Sequence, residues 1–242
     1  MPAAQLIADV VVANHILFDQ GVVDAFGHVS VRSDENKQHY FLARNMAPSL
    51  VQAGDVLEYD FDSNAVISGS QPGDRRGYLE RFIHSEIYRM RPDVMSVVHS
   101  HSPAVIPFTI SRTQLQPVYH MAGFLRDVKK YDIRIASGQM TDMLIRNHDL
   151  GVSLAAALGS APVALMRGHG ITVVGTSIKE AVCRSVYAEM NARIQIQAMG
   201  LGTPVEYLAR EEAELAEKAN ASQFDRPWEL WQKHAEETRR VK

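Results

Sequence analysis

The stretch Val97-Val98-His99-Ser100-His101-Ser102-Pro103 decides how the rest of the chain is read. It is an apolar run ending in two histidines spaced i, i+2. Read as a strand, it sends both imidazoles to one face, because strand side chains alternate with period two. Two neutral imidazoles on one face form half of a divalent-metal site. Chance alone supplies about 0.4 such pairs in a chain with this histidine content, so the spacing needs support from elsewhere.

Support is sought first in the neighbouring segments. Residues 77–91 read as an amphipathic helix with Leu79, Phe82, Ile83, Ile87 and Tyr88 on one side, broken at Arg91-Pro92-Asp93. Glu80 and His84 are spaced i, i+4 and share a helix face. A carboxylate near a metal serves as an extra ligand or as a general acid/base. The plainer reading is a surface ion pair in the cluster Asp74-Arg75-Arg76…Glu80-Arg81. Downstream, Ala161 to Met166 and Ile171 to Gly175 read as strands joined at Arg167-Gly168-His169-Gly170. His169 is either an ordinary turn residue or the third imidazole, which leaves an open position for substrate.

The remaining elements follow from periodicity and turn signals. A helix is expected over 4–20, a short alternating segment over Ala25 to Arg32, and strands over 39–44 and 55–61. Residues 68–74 read as a loop. Pro103 opens a short helix. Short strands are expected at Pro117 to Met121 and Asp132 to Ile135, then helices over 140–158, 177–199, 205–219 and 226–238. His15, His39 and His148 read as surface or ordinary structural residues, His234 as solvated, and Cys183 as buried and inert. Strands and helices interleave with no repeat or long linker, which predicts one α/β domain over residues 1–242 with helices at about 203–242.

Composition narrows the function classes. The 242 residues are 46% hydrophobic and 22% charged, ordinary for a soluble domain. A net charge of −3 with no basic block gives nucleic-acid binding no electrostatic support. One cysteine excludes an intramolecular disulfide and fits a reducing compartment. The N-terminus has no basic segment before an apolar one, and no run spans a bilayer. A cytoplasmic protein without membrane partners is expected.

Taken together, the motifs resemble the class II aldolase/adducin superfamily. The matching segments are Gly27-His28-Val29-Ser30, Glu80-Arg81-Phe82-Ile83-His84, Arg91-Pro92-Asp93 with Val97-Val98-His99-Ser100-His101, and Arg167-Gly168-His169-Gly170. They run in the family's order and spacing over about residues 5–200. The resemblance implies a three-layer α/β/α sandwich around a mixed, mostly antiparallel sheet. It implies a homotetramer with the site near a subunit interface. It also implies a divalent metal on His99, His101 and His169, with Glu80 as acid/base. Mn²⁺ is favoured, with Zn²⁺, Fe²⁺ or Co²⁺ compatible with the same donors.

The departures from the sugar-phosphate aldolases narrow the substrate. Their Gly-Asn is Gly27-His28 here, their Thr-x-Ser-Gly-like stretch is Ala43-Arg44-Asn45-Met46, and their Ser-Ser is Tyr78-Leu79. A phosphate cradle needs short side chains, and Met46, Tyr78 and Leu79 fill that space. Arg44 and His28 suit a carboxylate on a flatter ring. The chain is similar to the branch that decarboxylates hydroxylated aromatic or pyridine carboxylates, including the dihydroxyphthalate decarboxylases.

That resemblance implies a lyase of aromatic-compound degradation in which a ring hydroxyl and carboxylate chelate the metal. Glu80 is expected as first proton donor and His28 as second. Arg44, Ser30 and Tyr78 are expected at the substrate, with Tyr119 or His120 reaching it from a neighbouring subunit. The competing readings are an aldolase for an unphosphorylated or unusual aldol, an Fe-dependent oxygenase, and a metal-free adducin-like binding module.

Overall fold

The chain builds one eight-stranded sheet; the structure, a computed structural model, describes residues 1, 3–68 and 77–240. The strands are β1 (His28–Arg32), β2 (His39–Ala43), β3 (Val56–Asp60), β4 (Val66–Ser68), β5 (Ser96–Ser100), β6 (Val128–Tyr131), β7 (Val163–Met166) and β8 (Gly170–Gly175). Their spatial order is β4-β3-β2-β1-β5-β8-β7-β6. Only the β6–β7 pair is parallel, so the sheet is mixed and mostly antiparallel. β1, β5, β7 and β8 are buried along their whole length. That explains the near-continuous apolar runs of β7 and β8, since both sheet faces are covered.

Helices cover the two faces. α1 (Ala3–Asp19) packs on β1, β2 and α6 (Ile178–Met199), and α6 packs on β5 and β8. Opposite them, α2 (Arg81–Met90) and α5 (His148–Leu158) pack on each other, with α2 against β5 and α5 against β6 and β7. The α2–α5 approach is close at Gly151, where a Cβ would come within 2.7 Å of the Phe82 carbonyl oxygen. The short helices α3 (Ile106–Ile110) and α4 (Ile133–Ser137) lie near the β6–β8 edge. α7 (Arg210–Asn220) and α8 (Asp225–Arg240) close the C-terminus, with α8 against α1 and α6.

Five expectations about local structure are corrected. Pro117 to Met121 forms no strand; a 3-10 segment runs over His120–Arg126 instead. The strand expected at Asp132 to Ile135 lies earlier, at Val128–Tyr131. Asp132 is an N-cap, its carboxylate accepting from the Arg134 N–H, which starts α4 at Ile133. The helix expected from 140 begins only at His148, capped by Asn147. The helix expected from 77 begins at Arg81, which leaves Leu79 57% exposed. Ser68 ends β4 rather than opening a loop, and residues 69–74 of the expected loop lie outside the described residues. Asp74, Arg75 and Arg76 of the charge cluster lie there too.

Candidate metal centre and its wall

Register places the histidines. His28 of β1 pairs with His99 of β5, and His99 pairs with Thr172 of β8. Directly paired residues point to the same sheet face, here the face covered by α2. His101 follows β5 by one residue and shares that face. Gly27 has φ +105°, and a Cβ there would come within 3.1 Å of the His99 carbonyl oxygen, so glycine is needed where the chain turns into β1. Gly170 is pressed closer still. Its Cβ would lie 2.2 Å from the Ser100 carbonyl oxygen, and this contact seats the Arg167–His169 turn beside the end of β5.

The result is a compact cluster. Ligand atoms of Glu80, His99, His101 and His169 all lie within 4.8 Å of one another. Glu80 Oε2 is 3.7 Å from His99 Nε2 and 3.5 Å from His169 Nε2. Its other oxygen accepts the Ile145 N–H at 2.9 Å. Among the described residues, both ring nitrogens of His99 and His169 and Nε2 of His101 are buried without a hydrogen-bond partner. Buried polar atoms are ordinarily satisfied. One nitrogen from each of three imidazoles together with a carboxylate oxygen makes a donor set for a divalent cation, so the residues fit the metal that the motifs imply.

Electrostatics agree with neutral imidazoles and an ionised carboxylate. Burial holds His99 well below the usual histidine range, outweighing the opposing field of Glu80. Burial and His169 lower His101. Burial works against charge on Glu80, but His169, His99 and the Ile145 N–H outweigh it and hold the carboxyl at about 2. Metal ligands of these types must be neutral and deprotonated respectively.

A second group of side chains forms the adjoining wall. The His28 ring lies 5.1 Å from that of His99 and 4.6 Å from that of Tyr78. His28 Nδ1 is 2.6 Å from His84 Nε2. His84 Nδ1 is 2.6 Å from Ser30 Oγ, which is 2.6 Å from the Tyr88 hydroxyl. Two spacings create this line: His28 and Ser30 at i, i+2 on β1, and His84 and Tyr88 at i, i+4 on α2. Arg32 anchors the far end. It donates to the main-chain carbonyls of Tyr88, Val94 and Arg91, and its guanidinium lies 4.8 Å over the Tyr88 ring.

Comparison with known proteins is consistent with the motifs. Residues 8–196 match the family described as Class II Aldolase and Adducin N-terminal domain. The chain belongs to the class II aldolase and adducin family. It is 38% identical to the decarboxylase tropJ of Talaromyces stipitatus, over 98% of this chain and 96% of that protein. It is 32% identical to a 3,4-dihydroxyphthalate decarboxylase of a Terrabacter species, over 82% of each. An L-fuculose 1-phosphate aldolase from Glaciozyma antarctica shares the fold, with a TM-score of 0.78 at 24% identity over 97% of this chain and 90% of that one. The chain is an enzyme, a carbon–carbon lyase of the class II aldolase superfamily.

Other residues expected at the site lie in distinct places. Tyr78 borders His28, but its hydroxyl donates to the Met46 carbonyl at 2.6 Å, and burial pushes the phenol up to about 12. Arg44 pairs with Asp55 through Nε at 2.8 Å. Ser30 is fully buried and bonded inward to His84 and Tyr88. Tyr119 and His120 are not brought to the cluster within one chain. His120 lines a cavity of about 400 Å³ with Phe124, Tyr187 and Trp231, none of them cluster residues. Cys183 is buried, which pushes its thiol up to about 12.

Four contributors escaped the sequence reading as site residues: His84, Tyr88, Ile145 and Phe26. His84 and Tyr88 were visible as an i, i+4 continuation of Glu80. Phe26 is 66% exposed with its ring 6.3 Å from that of His101, an apolar edge next to the most open histidine. The Ile145 contact had no sequence signal, because a main-chain donor carries no residue type.

Proposed function

We propose that this enzyme is a metal-dependent, non-oxidative decarboxylase of a hydroxylated aromatic or pyridine carboxylate or dicarboxylate. What carries the reading is a set of three imidazoles and one carboxylate whose ligand atoms lie within 4.8 Å of one another, with five of the ring nitrogens lacking a hydrogen-bond partner among the described residues, in a chain whose relatives at 38% and 32% identity are named decarboxylases. His99, His101 and His169 would hold the cation, with Glu80 beside them. When bound, the cation supplies Lewis acidity that draws off electron density as CO₂ leaves.

The chain's own residues do the rest. Phe26 and Tyr78 supply ring surfaces for a flat substrate. Arg44, whose Nε is bonded to Asp55, would present its guanidinium to a second carboxylate. Glu80 is the first candidate to deliver the proton to the product carbon. Its resting carboxylate has to be loaded from solvent in each turnover, and His28, whose ring lies against that of His99, is the second candidate donor. By resemblance the assembly is a cytoplasmic homotetramer, which would allow Tyr119 and His120 to approach a neighbour's site. Exposed Ile110, Ile135 and Met140 give such an assembly apolar surface to cover. Among the metals, Mn²⁺ is favoured.

The test is a panel of hydroxylated benzene and pyridine carboxylates, incubated with the Mn²⁺-loaded protein and monitored for CO₂. Stoichiometric CO₂ without O₂ uptake is expected. Aldehyde release from an aldol, O₂ consumption requiring Fe²⁺, or absence of bound metal would each replace this reading.

A further inference from the structure

The wall beside the cluster contains a hydrogen-bonded line whose direction can be deduced. Its members are Tyr88, Ser30, His84 and His28, joined by three contacts of 2.6 Å each. All four are buried. Tyr40 stacks on His84, with the ring planes 10° apart and the centroids 6.3 Å apart, which fixes the plane of the imidazole.

The Tyr88 hydroxyl proton needs an acceptor, and among the described residues only Ser30 Oγ is within reach. Tyr88 therefore donates to Ser30. The Ser30 hydroxyl then has His84 Nδ1 as its acceptor. A ring nitrogen that accepts carries no proton, so His84 is neutral with its hydrogen on Nε2. That hydrogen points at His28 Nδ1. His28 accepts there in turn, which leaves its own hydrogen on Nε2. Four groups share four protons over three contacts, so one donor must point out of the line; in this direction it is His28 Nε2–H, whereas the reverse direction would leave the buried Tyr88 hydroxyl proton without an acceptor.

We propose that His84 is a positioning residue which, held by Ser30 and Tyr88, locks His28 as a neutral Nε2–H donor to a substrate oxygen at the cluster. The inference rests on the decarboxylase reading for the nature of the substrate, but the tautomer lock itself does not. His28 is the reading group: as an N–H donor it recognises a carboxylate or hydroxyl oxygen on the ring. His84, Ser30 and Tyr88 act through it and touch no substrate. The principle is the one by which a hydrogen bond to one ring nitrogen decides the state of the other. Ser30 then serves the site from behind, rather than at the substrate.

The test uses the full chain with ¹⁵N-labelled histidine, loaded with diamagnetic Zn²⁺, and needs no substrate. Two-bond ¹H–¹⁵N spectra are expected to show protonated Nε2 and bare Nδ1 at both His28 and His84. In Ser30→Ala the His84 acceptor site loses its donor, and both rings are expected to become tautomer mixtures. A wild-type spectrum with His28 protonated at Nδ1 overturns the lock. The kinetic arm is a double-mutant cycle. Ser30→Ala is expected to lower kcat about tenfold with a smaller change in KM, and to have no further effect in a His28→Asn background. Equal losses in both backgrounds would make Ser30 and His84 merely structural. If no panel substrate releases CO₂, the decarboxylase reading fails while the spectra still decide the lock.

Discussion

Two sets of histidines lie side by side on one face of the sheet and differ in one respect. His28 and His84 each have a hydrogen-bond partner, and their line continues to Ser30 and Tyr88. His99 and His169, in ring contact with each other, have none at either nitrogen. Both sets are buried in the same low-dielectric region, where an unpaired polar atom costs about 1–3 kcal/mol. A protein that satisfies one set and leaves the other bare has given them different tasks. On the proposed reading, the satisfied set holds an orientation and the bare set would hold a cation.

The largest effect should come from the bare set. His99→Ala or His169→Ala is expected to abolish turnover and to lower bound metal from about one ion per chain towards none, read by elemental analysis of the reconstituted protein. Glu80→Gln keeps the ring nitrogens and should retain metal while turnover falls by about 10²–10⁴-fold, the usual range for a lost general acid/base. Full activity in that variant would remove Glu80 from the mechanism. Zn²⁺ at about 100 times its Kd should stabilise the fold by about 2.7 kcal/mol, read as a shift in the urea midpoint, and should do nothing for His99→Ala.

The satisfied set gives smaller effects. Burial holds His84 at about 3, well below its unfolded value. The unfolded chain therefore binds the extra proton first as pH falls. This contribution is complete above about pH 6.5 and is lost on acidification towards pH 3, at about 1.4 kcal/mol per pH unit. Urea melts of metal-free protein between pH 6.5 and 5 should show at least that slope, since burial also lowers His28, His99 and His101, and His84→Gln should remove about 1.4 kcal/mol per pH unit of it. Tyr88→Phe removes one hydroxyl from the line and is expected to cost about 1 kcal/mol.

The sequence showed the bare set better than the satisfied one. His99 and His101 announce themselves by a period of two on a strand, and Glu80 and His84 by a period of four on a helix. His169 was marked by its place at the junction of two apolar strands, where Gly170 makes a close approach to Ser100. Pairwise satisfaction was not legible. Ser30 was expected at the substrate through the family resemblance, and a motif match names a position but no hydrogen-bond partner. The segment 140–147 read as the start of a helix over 140–158. In the fold it runs as a loop to Asn147, and Ile145 gives its N–H to Glu80 across 65 positions of chain. Long-range main-chain contacts of that kind leave no trace in local periodicity. The sheet itself was legible in kind, as mixed and mostly antiparallel. The position of β6 was not, because Asp132 acts as a helix cap where a strand was expected.

The most direct test of this contrast is a Zn²⁺ titration of the full chain followed through the ¹⁵N shifts of its histidines. The account predicts saturable coordination shifts at His99, His101 and His169, while His28 and His84 keep their protonation pattern. No shift at the three, or coordination at His28 or His84, would contradict it.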